Sequence, residues 1–242
     1  MRDCPLSQLS PAKIKALRDA KGDKRGAANG RLKHLSAMFG WAIESGHMKV
    51  NPCRDVRRLR YVTEGFHTWT VEEVRRFEDH HPKGTKARLA LALLLYLGIR
   101  RGDLVRLGPH HVKEGVITFI PSKTKHRRVA LSHKPILREL AKIIKAGPVG
   151  RETFLETAYG KPFTSNGFGN WFRDRCNEAE LPNCSAHGLR KAGATIAAEN
   201  GATVHQLMAL FDWQNIAQAS VYTAQADRKR LASEAAGLLA RR

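Results

Sequence analysis

Long apolar runs, cysteine and acidic residues are all scarce in this 242-residue sequence, and each scarcity removes a class of protein. The longest uninterrupted apolar stretch, residues 89–99, is eleven residues long, well short of the roughly 20 that cross a bilayer as a helix. Residues 1–10 lack the apolar segment of a secretory signal. A soluble, cytoplasmic protein is therefore expected. The four cysteines, Cys4, Cys53, Cys176 and Cys184, show no close pairing rhythm, and a chain of this size builds a core without crosslinks, so reduced thiols are expected. Cys176, Cys184 and His187 have no Cys-x-x-Cys pair beside them and no clear fourth ligand, so no metal site is expected.

Two sequence patterns are also missing. There is no Gly-x-x-x-x-Gly-Lys-Ser/Thr loop to cradle nucleotide phosphates, and the carboxylates do not cluster as a two-metal nuclease requires. The glycines at 167 and 169 read as part of a helix start rather than as a dinucleotide fingerprint. No cofactor is expected.

What the sequence has in excess is positive charge. Lysine and arginine total 42 against 22 acidic residues, a formal net charge of +20, which points to a polyanionic partner. Residues 1–60 hold 14 basic and 5 acidic side chains, so the charge is densest in the first quarter and a basic module beside a more balanced one is expected.

Apolar spacing predicts a short helix over residues 11–20, with a proline in its first turn, and an amphipathic helix over 27–45 in which Arg31 and Lys33 fall between the apolar positions. A proline-started basic segment follows, with Arg57 and Arg58 placed as in a linker lying along DNA. The boundary is set near Gly65, giving a helical module over 1–64 and a larger domain over 65–242. In the larger domain, Thr70-x-x-Glu73 is a capping box opening a helix to about residue 79. A helix over 86–97, apolar on all sides, is expected at the domain centre and stops at Gly98. Residues 101–107 read as a short helix. The β-branched runs 115–120 and 127–131 predict an antiparallel hairpin with Lys123 and Lys125 at its basic tip. Helices over 135–145, 165–180, 186–200 and 204–211 precede a final helical region containing Tyr222. The expected fold is mainly α with one small antiparallel β-sheet.

His187 and Arg190 share one face near the start of a helix whose cap is Ser185, where the helix terminus adds partial positive charge, so a phosphate pocket is outlined there. Arg100 follows the stop at Gly98, with Asp103 one turn on and able to orient it. Trp213 and Tyr222 fall in the last two helical segments. In this order, Arg100, Lys123, His187-x-x-Arg190, Trp213 and Tyr222 resemble the tyrosine recombinase (phage integrase) family. The resemblance covers residues 66–225 well and 8–60 more loosely, where the sequence resembles the end of the family's core-binding domain without its first helices. Whether Met1 is a natural start stays open.

The resemblance implies a bacterial or phage enzyme that cleaves and rejoins DNA attachment sites through a 3′-phosphotyrosine intermediate, integrating or excising a mobile element as a homo-tetramer on two sites. It implies Arg100, Lys123, His187, Arg190, Trp213 and Tyr222 as catalytic residues, with Asp103 in support. Arg31, Lys33, Arg57, Arg58 and Lys125 are expected on DNA. The family's commoner Leu-Gly-His is Phe211-Asp212-Trp213 here, and an indole only donates a hydrogen bond, so Trp213 is expected to position rather than shuttle a proton. The C-terminal apolar stripe Leu231, Ala235, Leu238 and Leu239 is expected either on its own domain or on a neighbouring subunit. A DNA-binding regulator with a degenerate recombinase fold and a type IB topoisomerase-like enzyme are the alternatives.

Overall fold

The structure is a computed structural model that describes residues 5, 8–62, 65–122 and 131–239. The chain forms two compact units, residues 1–65 and 66–242. The smaller holds α1 (Pro11–Asp19) and α2 (Arg25–Glu44). Ser10 caps α1 and Pro11 occupies its first turn, where a missing N–H costs nothing. Ile14, Leu32, Phe39, Cys53 and Val56 form the core of this unit. Its basic linker is tied to the helices through backbone carbonyls: the Asn29 amide donates to Leu59 O at 2.8 Å, and Arg18 donates to Arg57 O. Lys33, Arg57 and Arg58 stay exposed.

In the larger unit, α3 (Val71–His80) opens with the expected capping box between Thr70 and Glu73. The central helix α4 (Lys86–Leu97) buries eight of its twelve residues and ends at Gly98 with φ 57°. A side chain at Gly98 would meet the Phe211 ring at 2.5 Å, so the helix stop and a close packing contact depend on the same glycine. The short α5 (Arg101–Leu104) follows, ending earlier than the spacing predicted.

The sheet has three antiparallel strands in sequence order: β1 (Val112–Lys113), β2 (Val116–Phe119) and β3 (Ser132–Pro135). β3 pairs with β2 in the register Val116–Pro135 to Phe119–Ser132, beyond the β-branched run expected to pair. That run's residues 127–130 lie outside the described residues. Four further helices follow the sheet, α6 (Arg138–Ala146), α7 (Ser165–Glu178), α8 (Ala186–Glu199) and α9 (Val204–Phe211), and α10 (Ile216–Leu239) is the last. Thr164, Ser185 and Thr203 each cap the next helix through a side-chain oxygen, satisfying N–H groups that the first turn leaves free. One core packs α4 against α3, α7 and α8. A second cluster joins α8, α9 and the start of α10 through Ala194, Leu207, Phe211 and Ala219. Among the described residues no helix is long and apolar enough to cross a membrane.

Candidate active site

The site forms where three chain reversals meet. The first is the Gly98 stop, after which Arg100 takes extended backbone as the cap of α5. The second is the start of α8, which carries His187 and Arg190 one turn apart. The third is the turn from α9 into α10, where Asp212 is left-handed (φ 49°, ψ 42°) and sends Trp213 toward Tyr222. Arg100, His187, Arg190, Lys191, Trp213, Gln218, Val221 and Tyr222 line one open cleft of about 330 Å³.

Arg190 is 5% exposed. Its Nη1 donates to Gly98 O and its Nη2 to Phe211 O, while its guanidinium lies 5.4 Å from the Phe211 ring and 5.6 Å from the Trp213 ring. The fork thus clamps the first and third reversals together. Burial, and after it the charge of Arg100, lowers its pKa to about 10, leaving it positive at neutral pH. A guanidinium has five N–H donors, so donors remain for a ligand. The Arg100 Nη1 atom is buried without a hydrogen-bond partner among the described residues. An ionised donor held dry and unpaired is costly, and an anion in the cleft would satisfy it.

His187 is open to solvent on one side, with the Phe66 ring 4.7 Å away on another. Burial, followed by the charges of Arg190, Lys191, Arg100 and Arg101, lowers its pKa, so it is a neutral imidazole at physiological pH and able to accept a proton. Trp213 stacks between Phe211 and Tyr222, with centroids at 5.0 and 5.3 Å and the Tyr222 ring inclined by only 11°. Burial raises the Tyr222 pKa against the lowering effect of Arg190. The free site therefore holds a protonated phenol.

Asp103 is 1% exposed. Among the described residues it accepts from Arg106 Nη2 and from Ser122 N, both at 2.8 Å, rather than from the Arg100 guanidinium. It pins the base of the hairpin connection instead. Lys123 and Lys125 lie outside the described residues. Lys191, Gln218 and Val221 line the cleft without having been singled out in the sequence. Lys191 had a signal in its place beside Arg190. Gln218 had only its place one helical turn before Tyr222, and Val221 only its adjacency to it.

Outside this cleft, His67, Glu73 and Cys184 bring ligand atoms within 4.8 Å of one another, as do His80, His81 and Glu178. In the first group the Glu73 carboxylate already accepts from Thr70 N and His67 Nε2, and burial pushes the Cys184 thiol up to about 12. These residues therefore form a hydrogen-bonded hub and are poorly prepared as metal ligands.

Comparison with known proteins places this geometry in context. The Phage integrase family matches over residues 68–229. Tyrosine recombinase XerC of Proteus mirabilis is 22% identical over 207 residues, covering 80% of this chain and 66% of that protein. The integrase of Mycobacterium phage FRAT1 is 24% identical over 237 residues, covering 85% and 68%. The chain thus spans about two thirds of the length of these relatives. Among solved structures, a lambda integrase (75–356) dimer bound to a COC′ core site superposes with a TM-score of 0.76 at 20% identity, over 92% of this chain and 82% of that one. The Tn1549 transposon integrase in complex with transposon right end DNA superposes with a TM-score of 0.70 at 18% identity, over 95% and 87%.

Proposed function

From the premise that this chain belongs to the phage integrase family, we propose that it is a site-specific DNA recombinase that breaks and rejoins strands through a phosphotyrosine intermediate, integrating or excising a mobile element. The observation that carries this is the buried Arg100 Nη1, without a hydrogen-bond partner among the described residues, in a cleft shared with Arg190, His187 and Tyr222. A phosphodiester is the anion that this fork fits, since guanidinium groups take phosphate oxygens in pairs.

In this mechanism Arg100 and Arg190 neutralise the non-bridging oxygens as charge builds in the five-coordinate transition state. The Tyr222 hydroxyl attacks phosphorus and passes its proton to His187. The P–O5′ bond breaks, and Lys123 protonates the departing 5′-oxygen. The products are a 3′-phosphotyrosine and a free 5′-hydroxyl, so the phosphodiester energy is conserved for rejoining and the reverse attack needs no nucleotide. Trp213 holds the phenol by stacking. Asp103 supports the site by fixing the backbone before Lys123.

The partner is duplex DNA carrying attachment sites. Residues 1–64 serve as a DNA-binding module and linker through Arg31, Lys33, Arg57 and Arg58, with Lys125 adding to the contact from the domain over 65–242. Exposed Leu231, Leu238 and Leu239 at the end of α10 support docking of that segment on a neighbouring subunit in a tetramer on two sites.

A nicked duplex, bearing a sequence selected by this protein from random DNA, tests the proposal. Wild type should trap a covalent adduct, and Tyr222→Phe should bind the duplex without trapping. An adduct that persists in Tyr222→Phe assigns the nucleophile elsewhere. A wild-type protein that binds but never traps is the degenerate regulator.

A further inference from the structure

Lys134, in β3, is an unusual residue to find completely buried, because a lysine in a short edge strand ordinarily turns its ammonium to water. Its Nζ lies 3.0 Å from Asp212 Oδ2 and donates to Leu210 O. The neighbouring Ser132 hydroxyl donates to the other carboxylate oxygen, Asp212 Oδ1, at 2.7 Å. Two side chains from one strand therefore grip the reversal between α9 and α10 at consecutive points. Lys134 takes the carbonyl of residue 210, and both hold the carboxylate of residue 212. Between them, the carbonyl of Phe211 accepts from Arg190 Nη2, and immediately after them Trp213 stacks on Tyr222.

Asp212 also sits in a left-handed conformation that favours glycine and admits aspartate at some cost. A residue retained there against the backbone preference is explained when its side chain performs a task. Here the task is visible: without the carboxylate, the Lys134 ammonium would be sealed next to Arg190 and Arg100, both of which already act on it.

Resting on the recombinase assignment above, we propose that Lys134, Asp212 and Ser132 act as one lock that positions the Phe211–Trp213 turn, and through it the Arg190 fork and the Tyr222 ring, for attack on the phosphodiester. They are positioning residues, since none of them lines the cleft. The lock also ties the Tyr222 side of the cleft to β3, the strand that closes the connection carrying Lys123.

The test uses Asp212→Gly, which the backbone accepts, Lys134→Met, which matches the buried volume, and the pair together. Each is measured in the full chain by adduct formation at saturating nicked duplex, DNA affinity, thermal unfolding and near-ultraviolet circular dichroism, with Trp213→Phe marking the part of the spectrum that belongs to the stack. Each single substitution should slow adduct formation about 10- to 100-fold, the scale expected of a small displacement at a reacting centre, while DNA affinity stays within about twofold of wild type. The pair should be no slower than the slower single, because residues that act as one unit do not add.

The lock is overturned if Asp212→Gly cleaves at the wild-type rate. It is equally overturned if the pair recovers both stability and rate, which would make the three residues ordinary stabilising contacts. Should wild type trap no adduct, the recombinase assignment falls, and the free-protein spectrum then decides the lock alone. Loss of the Trp213 signature in Asp212→Gly supports it, and an unchanged signature rejects it.

Discussion

Substituting Arg100 by methionine should separate stability from function. Most buried side chains stabilise the fold through the partners they touch, but the Arg100 Nη1 has none among the described residues, and Arg190 is a like charge close enough to be felt. Leaving a donor buried and unmade costs about 1–3 kcal/mol, and methionine fills similar length without donor or charge. Arg100→Met should therefore unfold in urea with a free energy equal to wild type or higher by about 1 kcal/mol. The same variant should trap adduct on a nicked duplex about 100- to 1000-fold more slowly, the usual consequence of removing one preorganised donor from a phosphoryl or acyl transition state. Denaturation of the free protein and adduct formation at saturating DNA give the two numbers independently. A loss of stability beyond about 1 kcal/mol, of the size typical of a destabilising point mutation, would refute the inference that this arginine is held in reserve for an anion. So would unimpaired cleavage.

Arg190→Lys should behave in the opposite way on stability, because its fork satisfies two backbone carbonyls that a single ammonium cannot span. A loss of about 2–4 kcal/mol in urea unfolding is expected, with cleavage falling further than DNA affinity. Equal losses in cleavage and affinity would make the residue a DNA anchor only. The acid limb of the cleavage rate should lie below 6.5, the ordinary histidine value, because His187 is lowered from it and accepts a proton only while neutral. The limb should vanish in His187→Gln, and a limb above 6.5 would contradict the assignment of the base. Stability should follow the same sign. The folded-state pKa values of His81, His111 and His187 are all lowered, so the unfolded chain binds more protons as pH falls through 6.5, and the unfolding free energy should decline on acidification below that value. Lys33→Ala, Arg57→Ala and Arg58→Ala should each weaken DNA binding across sequences and flatten its salt dependence by about one counterion. Unchanged slopes would remove these residues from the interface.

Much of this architecture is legible in the sequence because it rests on local chemistry. The Thr70 capping box, the Ser185 cap, the Gly98 stop and the all-round apolar helix before it depend on residues within a few positions of one another, and each is present in the structure. β3 is not legible. Ser132, His133, Lys134 and Pro135 have little preference for extended structure, and the strand exists because β2 offers it a ladder. The burial of Lys134 was hidden for the same reason, since its counter-charge stands 78 positions away at Asp212. In the site, the residue types and their order could be read, but their partners could not. Asp103 suits an orienting role for Arg100 by spacing, yet the fold turns its carboxylate to Arg106 and the Ser122 amide. The state of the Tyr222 phenol depends on the Trp213 ring laid against it, a contact that motif spacing does not encode.

The most direct measurement is peptide mapping of the covalent protein–DNA product by mass spectrometry after nuclease trimming. A nucleotide remnant on the peptide containing Tyr222, attached through a 3′-phosphate and absent from Tyr222→Phe, is the predicted result. A remnant on any other residue, or a 5′-phosphate linkage, would contradict the account.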